Sequence, residues 1–409
     1  MRRRGLQALI AAAAAVAAIS AAAVMAGRGP ESGTSPAQAA VRTTTPGGPP
    51  ARAASPAVSP SASPSSTPAW TDLTGLSVRQ MAGQRVVYGY IGLEPPSRLF
   101  WLIRHGEAGG VVFSRGNISS SAQIANVVRR LKIANANSGN PVRLPLLLML
   151  DQEGGYVRRL PGAPVPSEKQ IGSAAQPVRA ARAAGAAAGR NLRGVGMNMD
   201  LAPVLDVYRQ AGNFIDRYGR SYSSDPRTVA ALGAAFVGSL QARKVVATAK
   251  HFPGLGAATT LQDTDMVPVT LTVSRSALRR VDELPYEAAI ASGVRAIMLS
   301  WAVYPALDPG RPAGISATIV QSELRGRLGF TGVTITDSLG AGALKPYGTL
   351  RNRTMLAARA GMDIMLGGGR TAGQCTDALV SGYTRGTLDR AAFREAVARV
   401  LALRATLAD

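Results

Sequence analysis

Five polar residues stand at the downstream ends of apolar runs: Asp151 after Leu144 to Leu150, Lys250 and His251 after Val245 to Ala249, Ser300 after Ala296 to Leu299, and Asp337 after Val333 to Thr336. If the runs are parallel strands, these distant residues meet on one face, where carboxylates, an ammonium and an imidazole can hold a polar ligand and move protons. Beyond Lys250-His251-Phe252-Pro253-Gly254 lies Asp263-Thr264-Asp265, two carboxylates separated by one residue. Like charges that close raise one another's proton affinity, which is how a carboxyl group is kept protonated as a donor. A lone strand-end aspartate is more often a helix cap than a catalyst. Five polar endings on one rim shift that balance towards a site. Two histidines, His105 and His251, and one cysteine, Cys375, lie too far apart to suggest a ligand cluster, and no phosphate-cradling glycine loop is present. No metal and no cofactor are therefore expected.

The elements that must position these groups follow from the alternation of patterns after Trp70. Apolar runs of strand length occur at Arg85 to Gly92, Gly110 to Ser114, Leu144 to Asp151, Met197 to Pro203, Val245 to His251, Ala296 to Ser300, Val333 to Asp337 and Asp363 to Leu366. Between and after them come helix-length amphipathic stretches: Pro95 to His105, Ser120 to Asn135, Pro177 to Val195, Asp225 to Arg243, Ser274 to Ser292, Ser316 to Leu328, Thr349 to Ala360 and Ala372 to Tyr383. About eight such βα units fit an α/β fold of the (β/α)8 TIM-barrel type better than an open doubly wound sheet. A last helix near Asp389 to Leu407 is expected outside the barrel.

Composition adds limits. The 409 residues include 46% hydrophobic residues and 45 glycines, enough for a substantial core. A net charge of +22, spread through the part expected to fold, favours anionic neighbours such as acidic wall polymers. Aromatics are only 5%, and no basic patch is interleaved with them as single-strand binders require, so no nucleic-acid partner is expected. Arg2, Arg3 and Arg4 precede an apolar stretch from Leu6 to Ala26, so residues 1–27 read as a signal peptide or an uncleaved signal anchor. Membrane association is expected only through that segment. Residues 28–69, rich in Pro, Ser, Thr and Ala, read as a disordered spacer, and residues 70–409 as a single catalytic barrel domain.

Four motifs occur in a recognisable order: Asp151-Gln152-Glu153-Gly154-Gly155 with Arg158 and Arg159, Gly219-Arg220-Ser221-Tyr222, Lys250-His251-Phe252-Pro253-Gly254, and Thr336-Asp337-Ser338-Leu339. From about Trp70 onward the chain resembles family 3 glycoside hydrolases, specifically the single-domain bacterial β-N-acetylhexosaminidases. The resemblance implies Asp337 as the nucleophile, and Asp151, Arg159, Arg220, Lys250 and His251 as substrate-binding residues. It also gives Asp206 a structural place near the pocket floor. Retaining hydrolysis needs the nucleophilic carboxylate about 5 Å from a proton donor.

The family's donor is the histidine of an Asp-Ser/Thr-His loop, and here Asp265 stands in its place. Leu255 replaces a common histidine, and Tyr156 stands where an arginine usually follows the double glycine. Two functions follow from the resemblance. One is an exported retaining glycosidase of the EC 3.2.1.52 class, acting on β-linked N-acetylglucosamine in peptidoglycan turnover, with Asp265 as acid/base and Asp263 as its dyad partner. The other is a catalytically impaired sugar-binding relative of the same fold.

Overall fold

Four-residue apolar runs such as Ala296 to Leu299 are buried along their whole length, as strands covered on both faces must be. The computed structural model describes residues 73–408; the expected signal segment 1–27 and spacer 28–69 lie outside the described residues. Eight parallel strands form one sheet: β1 (Val86–Tyr88), β2 (Gly110–Val112), β3 (Leu147–Leu150), β4 (Met199–Asp200), β5 (Val246–Phe252), β6 (Ala296–Leu299), β7 (Val333–Thr336) and β8 (Met365–Leu366). Each pairs with its neighbours in sequence, β8 pairs with β1, and the bridge Ile335↔Ile364 joins the β7 and β8 edges. The ring is thereby nearly closed, a (β/α)8 barrel as expected.

Each strand leads into an outer helix: α1 (Ser97–Arg104), α2 (Ser121–Asn135), α3 (Pro177–Gly194), α4 (Pro226–Gln241), α5 (Leu284–Ala291), α6 (Thr318–Arg327), α7 (Leu350–Ala360) and α8 (Ala372–Thr384). Local chemistry sets their starts. Ser120, Asp225 and Thr349 cap α2, α4 and α7 by accepting backbone N–H bonds, and Pro177 and Pro226 occupy first turns where a missing N–H costs nothing. The single helix expected over Ser274 to Ser292 arrives as Arg275–Ala277, a π turn Leu278–Asp282, and α5. Pro285, which cannot donate, sits at the start of α5 and accounts for the break.

Val87, Leu147, Met149, Met199, Val246, Met298, Val333 and Ile335 fill the barrel interior. The last helix, α9 (Arg390–Ala405), does more than lie outside the ring. Val400 and Leu403, with Leu407 just beyond, join that interior cluster and close the end from which the strands start. Buried Arg404 fixes this plug by donating to Leu144 O at 2.6 Å, Pro145 O at 2.8 Å and the Gln84 side chain. With one mouth sealed, the strand C-terminal ends are left to hold a ligand.

Candidate functional site

The loops at those ends surround a cavity of about 260 Å³ floored by the topmost interior side chains, Val112, Leu201, Met298 and Leu366. Its polar wall contains Asp151, Arg159, Arg220, Lys250, His251, Asp265 and Asp337. These seven, named from the sequence, come together in one pocket. Two others do not line it. Asp263 uses Oδ1 to accept the Asp265 backbone N–H at 2.9 Å, so it shapes the turn that carries Asp265. Ser300 is buried, with Oγ accepting from Ala302 N at 2.9 Å and from the Tyr304 hydroxyl at 3.0 Å.

One stretch of the pocket and the layer behind it are organised by two anions and two cations. Lys250 Nζ donates to Asp151 Oδ1 at 2.7 Å and lies 2.8 Å from Glu153 Oε1, while Arg220 grips both Glu153 oxygens at 2.9 Å. Arg159 Nε stands 3.6 Å from Asp151 Oδ2. Burial alone would raise the Asp151 carboxyl, yet Lys250 and Arg159 outweigh it and hold it at about 2. The same balance, with Arg220 and Lys250 as counterions, keeps Glu153 below its ordinary range. Both anions stay ionised, with their cations held against them. Lys250 and His251 are joined by a cis peptide, and both side chains face the pocket. His251 is oriented by Asp206, whose Oδ2 lies 2.8 Å from Nδ1 and whose Oδ1 accepts the Leu255 N–H at 2.7 Å. Asp206 therefore has the structural place expected of it.

Asp265 and Asp337 line the same pocket. Asp337 accepts the Ser338 N–H on Oδ1 at 2.6 Å, and Trp301 Nε1 donates to Ser338 O at 2.9 Å, pinning the loop after β7. The Asp265 turn is latched to the same loop, because Gly342 N donates to Asp265 O at 2.7 Å and Ala343 N to Thr264 O at 3.0 Å. Asp265 keeps access to solvent at the rim, yet its carboxyl is pushed up to about 6. Partial burial is the first cause, then the charges of Asp337 and Asp263, against His251 and Arg220. Of those two charges, Asp337 weighs more than the near neighbour Asp263. A carboxyl of raised proton affinity and a second carboxyl lining one small pocket is an arrangement that two-carboxylate group transfer can use.

Three buried acids behind the pocket were missed from sequence. Glu153 read as part of a tight turn, although it joins Arg220 to Lys250. Asp200 ends β4 with Oδ1 accepting from Gln152 N at 2.9 Å, and burial raises its carboxyl to about 8. Glu168 accepts from Val204 N at 2.9 Å and is raised well above its ordinary value by burial and then by Glu153. Asp200 had a visible signal, a charged residue inside an otherwise apolar run. Among the described residues no group of His, Cys, Asp and Glu is arranged to hold a metal ion.

A barrel with strand-end carboxylates around a small polar pocket defines the class as that of TIM barrels with a site at the strand C-terminal ends. The chain belongs to glycosyl hydrolase family 3: residues 81–403 match the family's N-terminal domain. A secreted glycosyl hydrolase of Arthroderma benhamiae, itself uncharacterized, is 44% identical over 331 residues, 80% of this chain and 93% of that one. A β-hexosaminidase of Stenotrophomonas maltophilia is 34% identical over 276 residues, 65% of this chain and 77% of the relative. Among solved structures, a family 3 β-N-acetylglucosaminidase from a Paenibacillus species superposes with a TM-score of 0.76 at 35% identity, covering 82% of this chain. This chain spans 64% of that protein's length. A β-N-acetylhexosaminidase from Beutenbergia cavernae gives 0.73 at 32% identity, covering 80% of this chain and 98% of that one.

Proposed function

We propose that the chain is a retaining β-N-acetylhexosaminidase in which two aspartates do the chemistry. The observation that carries this reading is the presence of Asp265 and Asp337 in the same pocket wall as the Asp151, Arg159, Arg220, Lys250 and His251 array. In the first half-reaction Asp337 attacks the anomeric carbon, the glycosidic C–O bond breaks, and the proton of Asp265 passes to the departing oxygen. Asp337 is then an uncharged ester. The strongest neighbouring charge acting on Asp265 has gone, its proton affinity falls, and it serves as the base that deprotonates water. That water attacks the anomeric carbon, the sugar–Asp337 C–O bond breaks and Asp337 leaves as a carboxylate, so the anomeric configuration is retained. Asp151, held ionised by Lys250 and Arg159, grips sugar hydroxyls, and the His251 ring, fixed by Asp206, binds beside it.

The names of the Stenotrophomonas, Paenibacillus and Beutenbergia relatives support β-linked N-acetylglucosamine as the sugar. The charged, apolar N-terminus and the secreted relative support an extracytoplasmic location, and peptidoglycan turnover suits an exported enzyme of this specificity. No helix among the described residues is long and apolar enough to cross a membrane. Release of nitrophenol from an aryl β-N-acetylglucosaminide by the native chain, lost in Asp337→Ala, is the expected result. Binding of N-acetylglucosamine without turnover would support instead the impaired sugar-binding relative, for which the replaced histidine is the motive.

A further inference from the structure

Three consecutive outer helices, α2, α3 and α4, contain no aspartate or glutamate. Between residues 121 and 244 Asp225, the cap of α4, is the one exposed acid; the others are buried or line the pocket. The bases of this span are distributed in the opposite way. Arg179, Arg182, Arg190 and Arg193 of α3 are all exposed. At 3.6 residues per turn they project within about 80° of one another, in a line about 21 Å long. The line is flanked by further cations. Arg243, just past α4, runs beside α3 so closely that a Cβ on Gly189 would meet its Cβ at 2.7 Å. Lys132 and Arg143 share with Arg193 a cavity of about 620 Å³ at the lower end of α3.

We propose that this flank binds an anionic polysaccharide laid along α3, holding the barrel on a polymer while the pocket turns over glycosidic ends. The choice of carbohydrate rests on the glycosidase reading; the charge of the face does not. None of the three helices exposes an aromatic ring on which a nucleic-acid base could stack, since Phe236 of α4 is buried. A straight row of guanidinium groups on a convex surface suits a linear chain of carboxylates, each able to accept a forked pair of N–H bonds. Each contact is weak at a solvated surface, so affinity comes from engaging several at once and falls with salt.

The test uses the purified full chain and alginate, a polyuronate, as the probe, with a neutral chitin oligomer and duplex DNA as comparators. At about 50 mM NaCl, where screening is modest, alginate should bind and the chitin oligomer should not bind this face. The triple variant Arg179→Gln/Arg182→Gln/Arg190→Gln should bind alginate roughly tenfold or more weakly, since three of the engaged cations are gone. Its aryl-glycoside turnover should match the native chain, which also shows that the variant folds. No alginate binding by the native chain, equal binding by the variant, or tighter binding of DNA than of alginate would overturn the proposal. Loss of aryl-glycoside turnover in native and variant chains alike would strike the glycosidase reading, and leaves the alginate comparison to decide the surface.

Discussion

In the proposed mechanism Asp265 is the residue on which the chemistry turns, and its environment gives a signed pH dependence. Its carboxyl is raised to about 6, so the donor form is present below that pH and is lost as pH rises through it. kcat/KM should fall along an alkaline limb near that value, and Asp265→Asn should abolish the limb. The same variant should lower kcat/KM on unactivated glycosides by about 10²- to 10⁴-fold and on aryl glycosides much less, since a good leaving group needs little protonation in the first step. Equal losses on both would contradict the assignment. Asp200 allows a stability test. It is fully buried, raised from 3.8 to about 8, and so binds its proton more tightly folded than unfolded. The native chain should therefore lose stability as pH rises from about 4 to about 8, by at most about 1.4 kcal/mol per pH unit from this group. Asp200→Asn, followed by thermal unfolding across that range, should remove this slope and raise Tm most near pH 8. Glu153 has the opposite character: Glu153→Ala leaves Arg220 without its paired carboxylate while Lys250 keeps Asp151, and should cost about 3 kcal/mol. Asp151, Lys250, His251 and Asp337 were legible as polar residues at strand ends, whereas Arg159, Arg220 and Asp265 lie in loops and were placed through the family resemblance. Glu153 and Glu168 were not, because their partners, Arg220 and Lys250 for the one and Val204 N for the other, come from distant segments, and the one signal for Asp200 was a charge inside an apolar run.

At the scale of elements, the Asp265 loop is tied to the loop after β7 by the Gly342 and Ala343 N–H groups. Gly342 is the tightest point of that latch: a Cβ there would meet Met266 O at 2.1 Å and Asp265 O at 2.8 Å. Gly342→Ala should displace the Asp265 turn and lower kcat on unactivated substrates, while KM, set by the Asp151–Lys250–Arg220 side, changes little. A matching rise in KM would show that the two sides of the pocket are not separately built. All eight strands and the helices between them were visible as alternating periodicities, because strands buried on both faces read as unbroken apolar runs. The π-wound α6 and the broken helix before α5 were not, since an apolar stripe looks the same at slightly different helical pitches.

For the whole molecule, the division between a sealed end and an open one decides where chemistry can occur. The α9 plug supplies Val400, Leu403 and Leu407 to the barrel interior and buries Arg404 against the starts of the strands. Ending the chain at Leu388 should expose that interior and abolish cooperative unfolding, with turnover lost together with the fold. Retained Tm would mean that the barrel closes without α9. The sequence places this helix after the last βα unit but does not say which face it covers, because its apolar stripe would suit the side of the barrel as well as its base.

Azide rescue of Asp265→Asn addresses the two-aspartate mechanism most directly. With an aryl β-N-acetylglucosaminide, Asp337 still forms the glycosyl ester, and azide, which needs no base, should restore turnover and yield the β-glycosyl azide. An α-glycosyl azide, or no rescue while the variant still binds N-acetylglucosamine, would contradict the pairing of Asp337 as nucleophile with Asp265 as acid/base.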